Sequence, residues 1–130
     1  MKKIIYCFIF IFILFSAQSL PAMTLEDSIN HSERSAKNVL RDEYRNPLET
    51  LEFFEIKANM TVIELSPGSG WYTEILSTYL YNQGKLIAAA YDPNLSDYAK
   101  RSRESYEKKL KSKEIYNKVE IVNLFSKLSD

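Results

Sequence analysis

The sequence predicts an α/β protein in which two helices precede a β-α-β-α-β unit with a parallel sheet. Short apolar runs rich in β-branched residues alternate with longer stretches of helical period, and turns containing glycine or proline separate them. The composition is that of a globular chain, with 45% hydrophobic residues and 17 basic side chains against 17 acidic ones. This balance argues against a general nucleic-acid binder, which would carry a basic excess.

Residues 1–22 have the pattern of a secretory signal peptide. Lys2 and Lys3 precede an apolar run at residues 4–15, and small residues follow, with Ala17-Gln18-Ser19 and Ala22 as candidate cleavage positions. We therefore expect a periplasmic or secreted protein. The run is short against the roughly 20 residues of a membrane span, and an uncleaved membrane anchor is the alternative. Because Cys7 lies in this run, the mature chain would have no cysteine and no disulfide.

Two helices are predicted over residues 23–59. The first spans residues 24–42, where Thr24 and Asp27 resemble a capping box. Its inward side chains recur at three-to-four spacing: Leu25, Ile29, Ala36, Val39 and Leu40. The second begins at Asn46-Pro47 and ends near Asn59. Its predicted buried side chains are Leu48, Leu51, Phe53 and Phe54.

Residues 60–130 supply three strands and two helices. The strands are predicted at residues 60–65, 85–91 and 119–124, the first two being nearly continuous apolar runs typical of a buried parallel sheet. A helix is predicted at 71–81, closed by Gly84 as a left-handed cap, and another at 96–112. The second of these directs inward Tyr98, Ala99, Tyr106 and Leu110. Its basic side chains are interpreted as a solvated face: Lys100, Arg101, Arg103, Lys108, Lys109 and Lys111.

The loop SPGSG, Ser66 to Gly70, joins the first strand to the following helix. Ligands of open α/β sheets bind beyond the carboxyl ends of the strands, where this loop lies. Gly68 and Gly70 allow a ligand to approach the backbone closely. Ser66 and Ser69 belong to the same loop, next to the unpaired N–H groups of the first turn of the following helix. Asp92 ends the second strand, 22 residues after Gly70, where a carboxylate can accept hydrogen bonds from two ribose hydroxyls. The sequence therefore predicts a nucleoside pocket.

Two cofactors use such a pocket. A dinucleotide requires a third glycine, and Thr73 occupies that position, so half of an NAD-dependent oxidoreductase is the weaker alternative. Glu64 precedes the loop, and its negative charge suits a positively charged cofactor such as S-adenosylmethionine. No metal site is predicted, because His31 is the only histidine. The loop also differs from the G-x-S-x-G elbow of serine hydrolases.

The stretch VIELSPGSGWYTEIL, followed by GKLIAAAYDP, resembles the first two motifs of class I S-adenosylmethionine-dependent methyltransferases. The wider region is similar to a group of predicted methyltransferases that carry signal peptides. The resemblance implies a Rossmann-like cofactor-binding domain in residues 60–130. It implies that Glu64 helps to organise the methionine moiety, that the backbone approaches the ligand at Gly68 and Gly70, and that Asp92 binds ribose. Ser66 departs from the family pattern, which has glycine there.

The resemblance also implies a larger sheet, with a fourth strand beside the first. Because three strands are predicted here, we expect the chain to correspond to the N-terminal half of a methyltransferase: a truncated gene product, a split protein or a fragment. The first strand would then be an exposed apolar edge that a partner chain covers. The alternative function is a non-catalytic remnant or a partner-dependent binding module. No residue is assigned as a catalytic base, and the methyl acceptor is left open.

Overall fold

A computed structural model describes residues 23–125. The elements, in chain order, are helices α1 Leu25–Ile29, α2 Ala36–Val39, α3 Asp42–Arg45 and α4 Pro47–Phe53, strand β1 Thr61–Leu65, helix α5 Trp71–Tyr79, strand β2 Lys85–Ala90, helix α6 Asp97–Leu110, a 3-10 helix Glu114–Tyr116 and strand β3 Glu120–Asn123. The predicted α/β class and the β-α-β-α-β order are confirmed. The predicted signal segment lies outside the described residues. Within residues 23–125, no helix is long and apolar enough to cross a membrane.

The three strands form one parallel sheet in the order β1-β2-β3. The connections from β1 to β2 and from β2 to β3 both step across the sheet in the same direction. Because such connections between parallel strands are right-handed, α5 and α6 lie on the same face of the sheet. On that face, Leu86 of β2 packs with Ile75 and Leu76 of α5. Ala88 and Ala90 of β2 belong to a second cluster, in which they pack against α6. Tyr106 of α6 is their buried partner. The core therefore lies between the sheet and these helices, and α1 and α4 extend it, since Leu25, Ile29 and Leu51 pack in the cluster around α5.

The other face of the sheet is open in the described part of the chain. Ile63 and Leu65 of β1 are 57% and 67% exposed, and Val122 of β3 is 44% exposed. The register pairs Leu65 with Ala89 and Ala89 with Val122, so these side chains share one face. The outer edge of β1 pairs with no strand among residues 23–125.

The prediction of a single helix over residues 24–42 is wrong, because two short helices, α1 and α2, occupy this range and α3 begins at its last residue. The capping box at Thr24 is present, but α1 ends at Asn30, whose side-chain amide donates to the Glu26 carbonyl. The chain then turns so that Arg34 and Asn38 are buried, whereas Val39 and Leu40 are exposed. Tertiary contacts of Arg34, described below, determine this turn and override the helical period.

Helix α4 begins at Pro47 as predicted but is shorter than expected. Glu55 adopts a left-handed conformation with φ of 52°, which ends the helical path two residues after Phe53. Leu51 is buried, but Phe53 and Phe54 are exposed, so their predicted burial is wrong.

Gly84 does not have the left-handed conformation predicted for it. A Cβ at this position would lie 2.6 Å from the carbonyl oxygens of both Ala58 and Met60. The glycine is therefore needed because two backbone segments approach each other closely where β2 begins.

Candidate functional site

The predicted site residues gather at the carboxyl edge of β1 and β2. The N–H of Ser66 donates to the Ala89 carbonyl at 2.9 Å, so the loop leaves β1 while still paired with β2. Asp92 follows Ala89 by three residues, at the same edge of the sheet. The loop 66–70 and Asp92 are therefore neighbours, in the region where open α/β sheets bind ligands.

Three residues of the loop have left-handed backbone conformations. The φ angles of Ser66, Gly68 and Gly70 are 51°, 56° and 75°. A side chain in this conformation costs about 1–2 kcal/mol, which glycine avoids. Ser66 therefore stands at a position whose backbone suits the glycine that the methyltransferase pattern has there. The space beside Gly68 is open, since the nearest atom to a Cβ at this position would be the Ser66 carbonyl oxygen at 3.9 Å.

Gly70 is covered, unlike Gly68. A Cβ at Gly70 would lie 2.8 Å from Cε and 2.9 Å from Cδ of Lys109, so the lysine stem crosses directly over this glycine. The Gly70 N–H is also satisfied, since it donates to the Pro67 carbonyl at 2.8 Å. The structure gives Gly70 a packing role, in which α6 rests on the loop.

Glu64 is a buried acid next to the loop. Its Oε2 accepts a hydrogen bond from Thr73 Oγ1 at 2.6 Å, and Thr73 Oγ1 lies 2.9 Å from the Tyr106 hydroxyl. Burial raises the pKa of Glu64 to about 7, although the Thr73 hydrogen bonds and the charge of Lys109 oppose the rise. The carboxyl therefore changes charge near neutral pH, and a cation beside it would favour the ionised form.

Tyr106 completes this buried chain of polar groups. Burial, together with the negative charge of Glu64, raises the pKa of Tyr106 above its ordinary value. Its hydroxyl therefore stays protonated and is able to donate to Thr73 Oγ1, whose own hydrogen points to Glu64. Thr73 occupies the position of the third glycine in a dinucleotide motif, and its hydroxyl donates a hydrogen bond to Glu64. The sequence analysis did not identify Thr73 or Tyr106 as members of the site.

Asp92 is 7% exposed and caps its own turn. Its Oδ1 accepts from the backbone N–H and from the side-chain amide of Asn94, both at 2.9 Å. Oδ2 accepts no hydrogen bond from the described residues. The turn therefore occupies one of the two carboxylate oxygens of Asp92.

A buried charge cluster that was not predicted from the sequence lies next to the site. Glu74 of α5 is 0% exposed, and its carboxylate binds Lys109 Nζ at 2.5 Å and Ser35 Oγ at 2.9 Å. Arg34 Nε lies 3.9 Å from Glu74, and its guanidinium makes a two-pronged contact with Asp42 at 2.6 and 2.8 Å. Burial opposes ionisation of Glu74, but the hydrogen bonds from Lys109 and Ser35 hold its pKa below the ordinary value.

The interpretation of the basic side chains of α6 as a solvated face is therefore wrong for Lys109. Arg103 is also engaged, since its Nε binds Glu107 at 2.7 Å and its Nη1 binds Asn123 at 3.0 Å. The sequence offered one signal, which is that Glu74 directly precedes Ile75 and Leu76 on the helix face predicted to be buried.

No group of three His, Cys, Asp or Glu side chains in residues 23–125 is arranged to hold a metal ion. The fold and the site define an α/β protein whose glycine-containing loop and two buried acids meet at the carboxyl edge of a parallel sheet. Comparison of the chain with family models, with curated proteins and with solved structures finds no match.

Proposed function

We propose that this chain binds S-adenosylmethionine in a Rossmann-like domain and belongs to a methyltransferase of class I type. The observation that supports the proposal most is the hydrogen bond between Ser66 and Ala89. It makes the glycine-containing loop and Asp92 neighbours at one edge of the sheet, beside the buried acid Glu64.

The residues at this edge fit the groups of the cofactor. Asp92 Oδ2 accepts no hydrogen bond from the described residues and would accept one from a ribose hydroxyl, and the space beside Gly68 would admit a ligand against the backbone. Glu64 supplies negative charge for the amino and sulfonium groups, and these cations in turn favour its ionised form. The bound cofactor supplies an activated methyl group, so the work of the protein is to hold and orient it. The methyl acceptor stays open in this proposal.

Thermal unfolding of the full chain with and without S-adenosylhomocysteine tests the proposal. The measurement is circular dichroism on protein in a non-ionic detergent. A ligand at one hundred times its Kd stabilises the folded state by about 2.7 kcal/mol, which raises Tm by several degrees. Asp92→Asn keeps an oxygen for the Asn94 turn but loses the carboxylate, and we expect it to abolish the rise in Tm.

Asp97→Asn, an exposed acid on α6, is the matched control and should retain the rise. The proposal is wrong if the ligand leaves Tm of the unmodified chain unchanged. It is equally wrong if both variants respond as the unmodified chain does.

A partner-dependent binding module is the second candidate, favoured by the exposed apolar residues of β1. Ile63 and Leu65 lie on the open face, and the outer edge of β1 has backbone groups without a strand partner among the described residues. A groove of about 440 Å³ runs beside this edge and includes Phe54 and Tyr72 in its wall. An added strand would pair with the edge and bury these side chains.

Export of the chain is also a proposal, and it rests on residues 1–22. Cleavage after Ala17-Gln18-Ser19 or Ala22 would give a mature chain whose intact mass identifies the new N-terminus. A mass that retains all of residues 1–22 in the membrane fraction would support the anchored alternative.

A further inference from the structure

A hollow of about 330 Å³ lies between the glycine-containing loop and α6. Its lining consists of Gly68, Ser69, Tyr98, Arg101, Ser102 and Ser105. Five of these six residues carry a hydrogen-bond donor in the side chain, and none carries a carboxylate.

The four lining residues of α6 form one stripe. Tyr98, Arg101, Ser102 and Ser105 follow the spacing i, i+3, i+4 and i+7, which places them on one side of the helix. This stripe faces the loop at Gly68 and Ser69. It also accounts for the wrong prediction at Tyr98, which was expected in the core and is 65% exposed.

The donors of the hollow have no partners in the described part of the chain. The hydroxyls of Ser69, Ser102 and Ser105 make no hydrogen bond to residues 23–125, and Arg101 makes neither a hydrogen bond nor an ion pair. Arg103 and Lys109 of the same helix, in contrast, are paired with Glu107 and Glu74. The hollow therefore combines one unneutralised positive charge with several unused donors.

We propose that this hollow binds a phosphate group, either as inorganic phosphate or as a phosphate monoester. The oxygens of phosphate are acceptors, and the planar guanidinium of an arginine such as Arg101 matches two of them at once. The hydroxyls of Ser69, Ser102 and Ser105 surround the same space and serve the remaining oxygens. Because Arg101 is exposed and makes no ion pair among residues 23–125, its charge attracts an anion and repels a cation.

This site adjoins the proposed cofactor site and shares Gly68 and Ser69 with it, but it takes a different ligand. S-adenosylmethionine has no phosphate, and none of the residues of the phosphate site except Gly68 and Ser69 belongs to the predicted cofactor residues. A phosphate-bearing ligand would therefore be a second molecule next to the loop. The failure of either proposal leaves the other intact, because the two tests use different ligands and different variants.

The test is a titration of the full chain with sodium phosphate, followed by isothermal calorimetry and by Tm. Sodium chloride of equal ionic strength is the reference. We expect saturable binding and a rise in Tm that is specific to phosphate. Arg101→Gln should weaken the affinity by about tenfold or more, since it removes a charge-assisted hydrogen-bond donor. Lys100→Gln makes the same charge change at the neighbouring exposed position, outside the hollow, and should leave the affinity unchanged.

The double variant Ser102→Ala/Ser105→Ala keeps the positive charge of the hollow and removes two hydroxyl donors. It tests the phosphate site independently if the Arg101→Gln variant does not fold. It should weaken phosphate binding severalfold. The proposal is overturned if phosphate and chloride act alike, or if Lys100→Gln and Arg101→Gln reduce the affinity equally, because binding would then depend only on net charge.

Two further ligands identify the source of the phosphate. Glycerol 3-phosphate represents a soluble ester, and vesicles containing phosphatidic acid represent a lipid headgroup. Binding of either that is lost in Arg101→Gln supports the site and assigns the class of ligand. Binding of vesicles that persists in Arg101→Gln contradicts a lipid ligand at this hollow.

Discussion

Lys109 Nζ lies 2.5 Å from Oε1 of Glu74 and links α6 to α5 through a buried ion pair. The same carboxylate accepts hydrogen bonds from the backbone N–H and the hydroxyl of Ser35, before α2. One side chain thus joins three segments that are distant in sequence. A buried pair of this kind strongly destabilises the fold when one partner is removed, because the other charge stays buried without compensation.

Lys109→Met tests the strength of this link. The substitution keeps an unbranched apolar stem of similar length over Gly70 and removes the ammonium group, so Glu74 loses its closest cation. We expect the free energy of unfolding, measured with urea, to fall by about 3 kcal/mol. Lys108→Met is the matched control at an exposed neighbouring position and should change it by less than about 0.5 kcal/mol. Similar losses in the two variants would contradict the assignment.

The pKa of Glu64 predicts a specific dependence of stability on pH. Burial raises this pKa from its usual 4.5 to about 7, so the folded chain holds the proton more tightly than the unfolded chain does. The contribution of Glu64 to stability is therefore fully present below pH 4.5 and is lost as the pH rises to about 7. The loss amounts to about 3 kcal/mol, and Glu64→Gln should remove it.

Urea unfolding between pH 4.5 and pH 8 measures this effect. The difference between the unmodified chain and Glu64→Gln should change with pH over that interval, whereas Glu104→Gln, at an exposed position, should follow the unmodified chain. A constant difference between Glu64→Gln and the unmodified chain would show that Glu64 titrates normally.

Alanine substitutions should separate the roles of the two loop glycines. In Gly68→Ala the only difficulty is the left-handed backbone conformation, so the substitution should lower the free energy of unfolding by about 1 kcal/mol. Gly70→Ala meets the same difficulty and also displaces the stem of Lys109 from its contact, which weakens the bond to Glu74. We expect Gly70→Ala to cost about 2 kcal/mol more than Gly68→Ala.

A double-mutant cycle with Lys109→Ala checks this explanation. The extra cost of Gly70→Ala should disappear once the lysine stem is absent, because the two substitutions remove the same interaction. Additive losses would mean that Gly70 is required for a reason other than Lys109.

Amide hydrogen exchange distinguishes an open β1 from a covered one. Since the Ser66 N–H points to β2, alternation along the strand turns the N–H of Glu64 to β2 and those of Ile63 and Leu65 outward. In the isolated chain, the outward amides should exchange roughly a hundredfold faster than that of Glu64. Protection of Ile63 and Leu65 would instead show that another strand pairs with β1, and a dependence on protein concentration would identify it as a second copy.

Strands, α5 and α6 were predictable because their local period and their burial agree. The apolar run of β2 faces a core, whereas Ile63 and Leu65 of β1 are exposed, and the turn residues around both strands restrict where each element ends. The position of the loop 66–70 follows from the same order of elements, without knowledge of any side-chain contact.

The N-terminal region was not predictable in this way. Its apolar residues follow a helical period, but Arg34 is drawn inward by Glu74 and Asp42, and the helix breaks to allow it. Contacts between residues about 40 positions apart leave no local pattern in the sequence. The pairing of Lys109 with Glu74 escaped prediction for the same reason, since a lysine on a basic helix face is usually solvated.

The contacts of Glu74 also limit the order in which this chain can fold during synthesis. Ser35 and Glu74 leave the ribosome well before Lys109, which lies 35 residues after Glu74. Until α6 has emerged, docking α5 on the sheet would bury the carboxylate without its ammonium partner. The native core therefore closes only when nearly the whole described chain is available. A nascent chain of this kind is expected to stay unfolded for most of its synthesis.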